Sequence, residues 1–188
     1  ILALTVSKQL LLQDILLGLM DKSFENMNFR EHFEQVYEKL SKVQDQGELN
    51  YLFDLMRKYV KAVYKKSDIG IRLTKAYKEN NREAMKNIVA EIADARAAFN
   101  DFTETYSEVW YKNNKPFGFE RLDLRLGGVA ARMDRAAERV NRYLNGDIQS
   151  IDELEEERLI YDGRENPYSY RTFSERYMSV SHPTMVIL

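Results

Sequence analysis

The sequence predicts an all-α fold, an antiparallel bundle of about four to five long helices with short extended segments at the termini. Apolar residues recur at spacings of three and four over long stretches, which is the pattern of packed helices. The chain has 188 residues, and nearly a third of them are charged. This length suits a single domain, which we divide into an N-terminal segment (1–20), a helical bundle (21–160) and a loop and extended tail (161–188).

The N-terminal segment is apolar, but Lys8, Gln13 and Asp14 interrupt it. It is therefore too polar to span a bilayer, and we expect it to pack on protein. Because the sequence opens at Ile1 inside this apolar stretch, we expect the chain to be a piece of a longer one. We also predict that residues 1–6 and 184–188, both apolar and β-branched, pair with each other.

The clearest predicted helix covers residues 81–113, with Asn80 and Asn81 available to cap its start and Pro116 to stop it. Three further long helices are predicted at about residues 28–44, 48–77 and 119–144. We favour one bent helix through Gly70 over a break at Asp68, because a helical glycine costs only about 1 kcal/mol. We expect the helix over 119–144 to end at residues 145–146, where asparagine and glycine can adopt a left-handed conformation. A capping box at residues 150–153 predicts a short helix reaching about residue 158.

The residue types that carry chemistry are sparse. The chain has no cysteine and only two histidines, His32 and His182, and neither completes the Glu-x-x-His pair of a bundle metal site. Glutamates 153 and 155–157 form an acidic run, which we interpret as a solvated helix face. We therefore expect no catalytic residue, no metal and no cofactor. Charges of both signs are interspersed, so we expect no nucleic-acid partner and no membrane partner, and the absence of cysteine fits a cytoplasmic location.

Aromatic residues cluster around the turn that follows residue 113. Trp110, Tyr111, Phe117 and Phe119 are close in sequence there. Aromatic side chains near a turn can stack on a sugar or dock another domain, but more often they pack two helices together. We favour packing, and keep Trp110, Phe117 and Phe119 as candidates for either role.

Four further residues are candidates for a structural or docking role. Paired glycines inside a helix cost stability, so Gly127 and Gly128 predict the close approach of another group. Arg125, just before them, is predicted to pair with a buried carboxylate. Asp14 lies among leucines and needs a partner if it is buried.

Several segments resemble the C-terminal helical region of bacterial family 20 glycoside hydrolases, the β-N-acetylhexosaminidases. The resemblance begins with SKQLLLQDILLGLMD at residues 7–21 and KSDIGIR at residues 66–72, and it reaches about Tyr161. Its most distinctive block is WYKNNKPFGFE at residues 110–120, which leads into Asp123, Arg125, the double glycine and Arg132. Residues 151–155, IDELE, match the end of the region.

The resemblance implies a parent enzyme with a (β/α)₈ catalytic barrel ahead of Ile1. Such an enzyme removes terminal N-acetylhexosamine with the substrate's acetamido group as nucleophile, and its Asp-Glu pair belongs to the barrel. The expected function here is a non-catalytic accessory domain that buttresses this barrel, its partner in the parent chain. We also expect that the apolar N-terminal segment supports a homo-oligomer.

Two alternatives remain open. The first is a free-standing helical protein–protein interaction module whose apolar faces bind a partner helix. A bundle that binds a small molecule would need an apolar pocket with convergent polar groups. The reading frame upstream of Ile1 distinguishes the first alternative from an accessory domain, because an open frame encoding a barrel excludes it.

Overall fold

The computed structural model describes residues 6–44 and 46–160, and throughout these ranges the fold is all-α, as the sequence predicts. The predicted pairing of residues 1–6 with 184–188 and the predicted tail over 161–188 fall outside the described ranges, except that Val6 begins the first helix. No helix in the described part is long and apolar enough to cross a membrane. The helices in chain order are α1 (Val6–Leu12), α2 (Asp21–Phe24), α3 (Phe29–Ser41), α4 (Asn50–Lys66), α5 (Ile69–Lys78), α6 (Arg82–Asn113), α7 (Phe119–Asn145) and α8 (Asp152–Glu155).

Helix α6 is the spine of the bundle. Its 32 residues give it a length of about 48 Å. Helices α4, α5 and α7 pack along it, while α3 packs on α4 at the edge of the molecule. The predicted apolar seam of α6 is buried from Met85 to Phe102. The predicted seam of α3 faces the core but is only half-buried, because nothing covers the outer side of this edge helix among the described residues.

Local sequence signals set the ends of α5, α6 and α7. Asn80 adopts a left-handed conformation that ends α5, and the side chain of Asn81 accepts the amide of Ala84 at the start of α6. Gly146 ends α7 with φ +84°, and its amide donates to the carbonyl of Tyr143. The predicted cap at residues 80–81 and the predicted left-handed stop are both confirmed.

Two predicted helices differ from the structure. The chain turns at Ser67 and Asp68, so the predicted helix over 48–77 is two helices, α4 and α5. Directly after this turn, Gly70 lies against the Asp21 carboxylate and the carbonyl of Ile15, so the path of α5 follows its packing on the N-terminal segment rather than helix propensity. The predicted capping box is also wrong, because the Ser150 hydroxyl bonds the Asp152 carboxylate rather than a backbone amide, and α8 is a single turn.

An ion cluster joins the edge helix to the spine. Arg30 on α3 reaches Asp68 at 3.2 Å and Glu91 of α6 at 2.8 Å. Arg72 on α5 pairs with both carboxylates, at 2.8 Å to Asp68 and 2.5 Å to Glu91. The hydrogen bonds from Arg72, followed by those from Arg30, lower the pKa of Glu91 to about 2. The cluster therefore holds α3 where apolar burial is incomplete.

The double glycine of α7 does not mark a close approach at Gly127. A Cβ built there meets no atom within 4 Å, so the prediction is wrong for this residue. Gly128 is half-buried on the same helix. A Cβ built on Gly70, by contrast, would lie 2.9 Å from the Asp21 carboxylate and 3.0 Å from the carbonyl oxygen of Ile15. The position where close packing requires a glycine is thus Gly70, which the Asp21 carboxylate and the Ile15 carbonyl approach.

These two helical glycines should respond oppositely to alanine. We expect Gly127→Ala to raise the free energy of unfolding by about 0.5–1 kcal/mol, because alanine favours the helix and the space is open. Gly70→Ala should lower it by at least about 1 kcal/mol, because the new methyl collides with a backbone carbonyl. Urea unfolding followed by circular dichroism measures both, and a stabilising Gly70→Ala would contradict the packing described here.

Candidate functional site

The N-terminal segment is part of the bundle's own core. Six of its apolar side chains are at most 4% exposed, namely Leu10, Leu11, Leu12, Ile15, Leu16 and Met20. The expectation that this segment packs on protein is confirmed, and the protein is its own chain. Leu17 is 40% exposed and is the large apolar residue that the segment presents at the surface. A homo-oligomer through this segment stays a prediction. Because most of the segment's apolar side chains are buried within the chain, few of them remain to contact a second copy.

A buried ammonium group holds the end of α1. The Lys66 side chain, at the end of α4, donates to the carbonyl of Leu10 at 3.0 Å and to the carbonyl of Gln13. Carbonyls at a helix C-terminus lack partners within the helix and carry partial negative charge, so a cation is favourable there. Burial lowers the pKa of Lys66 to about 8, against the opposing effect of the Asp14 and Asp21 carboxylates.

Asp14 holds the next turn and links it to α7. One carboxylate oxygen accepts the amides of Leu16 at 2.8 Å and Leu17 at 2.9 Å. The other oxygen pairs with the guanidinium of Arg132. Asp14 is 6% exposed, so the sequence-based requirement for a partner is met. The partner comes from α7, 118 residues further along the chain.

The Gln13 amide connects the two ends of this turn. It donates to the Asp21 carboxylate at 2.5 Å and accepts the Met20 amide at 2.9 Å. The second carboxylate oxygen of Asp21 lies against Gly18, which has φ +51°, and against Gly70. Burial raises the pKa of Asp21 to about 6, and the nearby Arg158 cation opposes this effect.

Arg158, which follows α8, binds the same segment from the other end of the described chain. Its guanidinium donates to the carbonyl of Leu16 and, at 3.0 Å, to the carbonyl of Glu153. Its Nε lies 4.0 Å from the Asp21 carboxylate. Residues separated by 142 positions are thereby joined directly.

We call this set of polar side chains the N-terminal anchor, comprising Gln13, Asp14, Asp21, Lys66, Arg132 and Arg158. Of these, sequence reasoning identified only Asp14 as a candidate. One missed signal was available: Lys66 lies three residues after Val63 and seven after Tyr59, so a lysine occupies the apolar register of α4. Arg158 follows the last helix, where no periodic pattern points to a partner.

The side chains of the anchor mainly bind backbone amides and carbonyls of the N-terminal segment. Asp14 and Asp21 are both buried, and their oxygens face amides, a guanidinium or glycine backbone. A carboxylate that acts on a glycosidic bond must reach substrate in an open cleft. No group of three or more histidine, aspartate or glutamate side chains that suits a metal ion occurs in residues 6–44 and 46–160.

The aromatic turn is divided between core and surface. Phe119 is 2% exposed, and its ring contacts those of Trp110 at 5.6 Å and Tyr111 at 5.3 Å between centroids. The Trp110 indole donates to the carbonyl of Lys115 at 3.0 Å. Phe117, by contrast, is 83% exposed. Trp110 and Phe119 therefore join α6 to α7, whereas Phe117 faces solvent.

A second surface feature is an apolar groove of about 400 Å³ where α1, α4, α6 and α7 meet. Its lining is mainly apolar, and we call the apolar residues its floor, among them Leu11, Leu12, Met56, Tyr59, Phe102 and Leu126. We call the two cations of the lining, Lys8 and Arg125, its rim. Arg125 forms no salt bridge with a carboxylate of the described residues, and the arginine of α7 that pairs with the buried Asp14 is Arg132. Burial, followed by the repulsion of Arg121, lowers the pKa of Arg125.

The acidic run is only partly a solvated face. Glu153 pairs with Arg139 at 3.0 Å and is half-buried. Glu155 accepts the Tyr77 hydroxyl, which in turn accepts the amide of Ile151 at 3.2 Å. Glu156 and Glu157 are exposed, as predicted. The first half of the run thus fastens α8 to the bundle.

Removing the Asp14 carboxylate should release the N-terminal segment. We expect Asp14→Ala to cost about 3 kcal/mol of unfolding free energy, because two amides and a guanidinium lose their partner. Asp14→Asn keeps an oxygen for the amides and should cost only about 1 kcal/mol. Urea unfolding at neutral pH measures both. Equal losses of unfolding free energy in the two variants would contradict the assignment of one carboxylate oxygen to the amides and the other to Arg132.

The raised pKa of Asp21 predicts a defined pH dependence. Its folded pKa of about 6 exceeds the ordinary 3.8, so folding favours the protonated acid. This stabilisation is fully present below about pH 4 and is lost as the pH rises through 6. Relative to Asp21→Asn, the unchanged chain should therefore lose up to about 3 kcal/mol between pH 4 and 7.5. Urea unfolding at both pH values measures the difference, and a difference independent of pH would refute the assignment.

Comparison with known proteins places this architecture in a family. The family model described as the Glycoside Hydrolase 20C C-terminal domain matches residues 2–172. A search of curated proteins finds no match. The matched range contains the whole N-terminal anchor and the groove. The resemblance seen in the sequence is therefore confirmed, and this helical chain belongs to the C-terminal domain family of family 20 glycoside hydrolases.

Proposed function

We propose that the chain is a non-catalytic helical accessory domain that buttresses the catalytic barrel of a β-N-acetylhexosaminidase-like glycoside hydrolase. Membership in a C-terminal domain family supports a position after a catalytic domain. The reaction belongs to that preceding domain, and it removes terminal N-acetylhexosamine. The chain described here contributes support rather than a reacting group.

The N-terminal anchor is the single observation that carries this proposal. Helix α1 begins at Val6, near the start of the chain, and Lys66 holds its last carbonyls. Asp14 and Arg158 fix the following turn from two other elements of the bundle. Domains that meet through a loose linker move independently, whereas a junction built into a core restricts that motion. The anchor therefore favours a rigid connection over a flexible tether.

The alternative, a free-standing helical interaction module, stays a prediction. Its expected binding surface would be the apolar groove between α1, α4, α6 and α7. The family match to a C-terminal domain favours the accessory role. The experiments below therefore test the accessory role.

The activity assay separates support from catalysis. We expect the isolated chain to give no turnover of a chromogenic N-acetylglucosaminide above background, and the parent enzyme to turn it over. Turnover by the isolated chain that survives repurification would overturn the non-catalytic assignment.

Buttressing is tested in the parent enzyme through the anchor. We expect Asp14→Ala to lower the temperature at which activity is lost by several degrees (about 2–4 °C per kcal/mol for a domain of this size) because the support unfolds first. Activity per molecule at low temperature should remain. Glu104→Ala, at an exposed position on α6, is the matched control and should leave inactivation unchanged. If Asp14→Ala melts the bundle but leaves barrel inactivation unchanged, the buttressing proposal fails.

A further inference from the structure

The described residues leave the apolar groove open at the surface although it lies among core helices. Met56, one of its apolar lining residues, is 50% exposed, whereas Phe102, another of them, is 5% exposed. Methionine is unbranched and polarisable, so it adapts to irregular partner surfaces. An open apolar groove next to a packed core is typical of a surface that another protein covers.

The rim of the groove carries positive charge that no described carboxylate pairs with. Lys8 and Arg125 form no salt bridge within residues 6–44 and 46–160. Arg121 adds a third cation on α7, one turn before Arg125. A partially buried guanidinium without a carboxylate is costly, and a partner carboxylate would offset that cost.

The groove also lies beside Val6, the first described residue, which we take as the entry point of the described chain. Lys8 is two residues after Val6, the first residue of α1, and Leu11 is five residues after it. At about 1.5 Å of rise per helical residue, these positions lie within about 8 Å of that entry point. A domain that precedes Val6 is therefore tethered next to the groove at high effective concentration.

We infer that this groove is the face of the bundle on which the catalytic domain docks, through an apolar side chain flanked by a carboxylate that pairs with Arg125 or Lys8. The inference rests on the proposed function and specifies the surface that performs it. The apolar side chain fills the floor beside Met56, and the carboxylate neutralises the rim. The exposed Phe117 and Leu124, which lie outside the groove lining, are not required for docking.

Oxidation of Met56 in the parent enzyme tests whether the groove is covered. Peroxide converts an accessible methionine to the sulfoxide, and peptide mass spectrometry reads the rate at each position. If the groove were open, Met56 would oxidise only about twofold more slowly in folded enzyme than in urea, given its exposure in this chain. We expect a slowing of at least about tenfold. A twofold slowing overturns the inference.

A zero-length carbodiimide cross-link identifies the occupant, because it joins an amine only to a carboxylate in direct contact. We expect Lys8 to be joined to a carboxylate of the catalytic domain within the same molecule. A cross-link to residues 161–188, or to a second copy of the chain, would identify a different occupant and overturn the inference.

Charge reversal at the rim completes the experiment. In the parent enzyme, Arg125→Glu should raise the Met56 oxidation rate by at least about fivefold, because it opposes the partner carboxylate. Arg142→Glu, at an exposed position further along α7, is the matched control and should change nothing. If Met56 is freely oxidised while Asp14→Ala still destabilises the barrel, only the docking face is wrong. If Asp14→Ala also leaves the barrel unaffected, the proposed function fails with it.

Discussion

The structure depends on how the bundle satisfies the backbone of a segment that it buries. Leu10, Leu11, Leu12 and Leu16 bring α1 and the following turn into the apolar core, where free carbonyls and amides are costly. Lys66 supplies donors to the carbonyls at the end of α1, and Asp14 supplies an acceptor to the amides of the next turn. Burial of these leucines therefore depends on the polar partners, because without them the buried carbonyls and amides would lack hydrogen bonds. Two charged groups of opposite sign are buried as a result.

Periodicity was sufficient to predict α3, α6 and α7 from the sequence. The seam of α6 and the boundaries of α7 follow from repeated spacings and from residues such as Asn81 and Gly146, whose preferences are local. Gly70 shows where local reasoning stops. Its helix propensity favours a continuous helix, but contact with Asp21, from 49 positions earlier, determines how tightly the chain must approach there. A pattern within one helix contains no information about that neighbour.

The candidate site was harder to predict, for the same reason. Asp14 was identifiable because a carboxylate among leucines requires a partner, yet the choice between Arg125 and Arg132 depends on where α1 lies along the axis of α7. The seven-residue spacing between these two arginines places them on a similar side of the helix, and only the packing of α1 distinguishes them. Lys66 was a recognisable exception in an apolar register. Arg158 had no such signal, because its contacts are set by the path of the chain after α8.

The hydrogen bond from Arg158 to the carbonyl of Leu16 has a consequence for synthesis on the ribosome. The N-terminal segment emerges first, but one of its ligands is made 142 residues later. At about 5–20 residues per second, that interval lasts roughly 7–28 seconds. During this time the carbonyl of Leu16 lacks its guanidinium donor. The N-terminal anchor is complete only after almost all of the described residues have been translated.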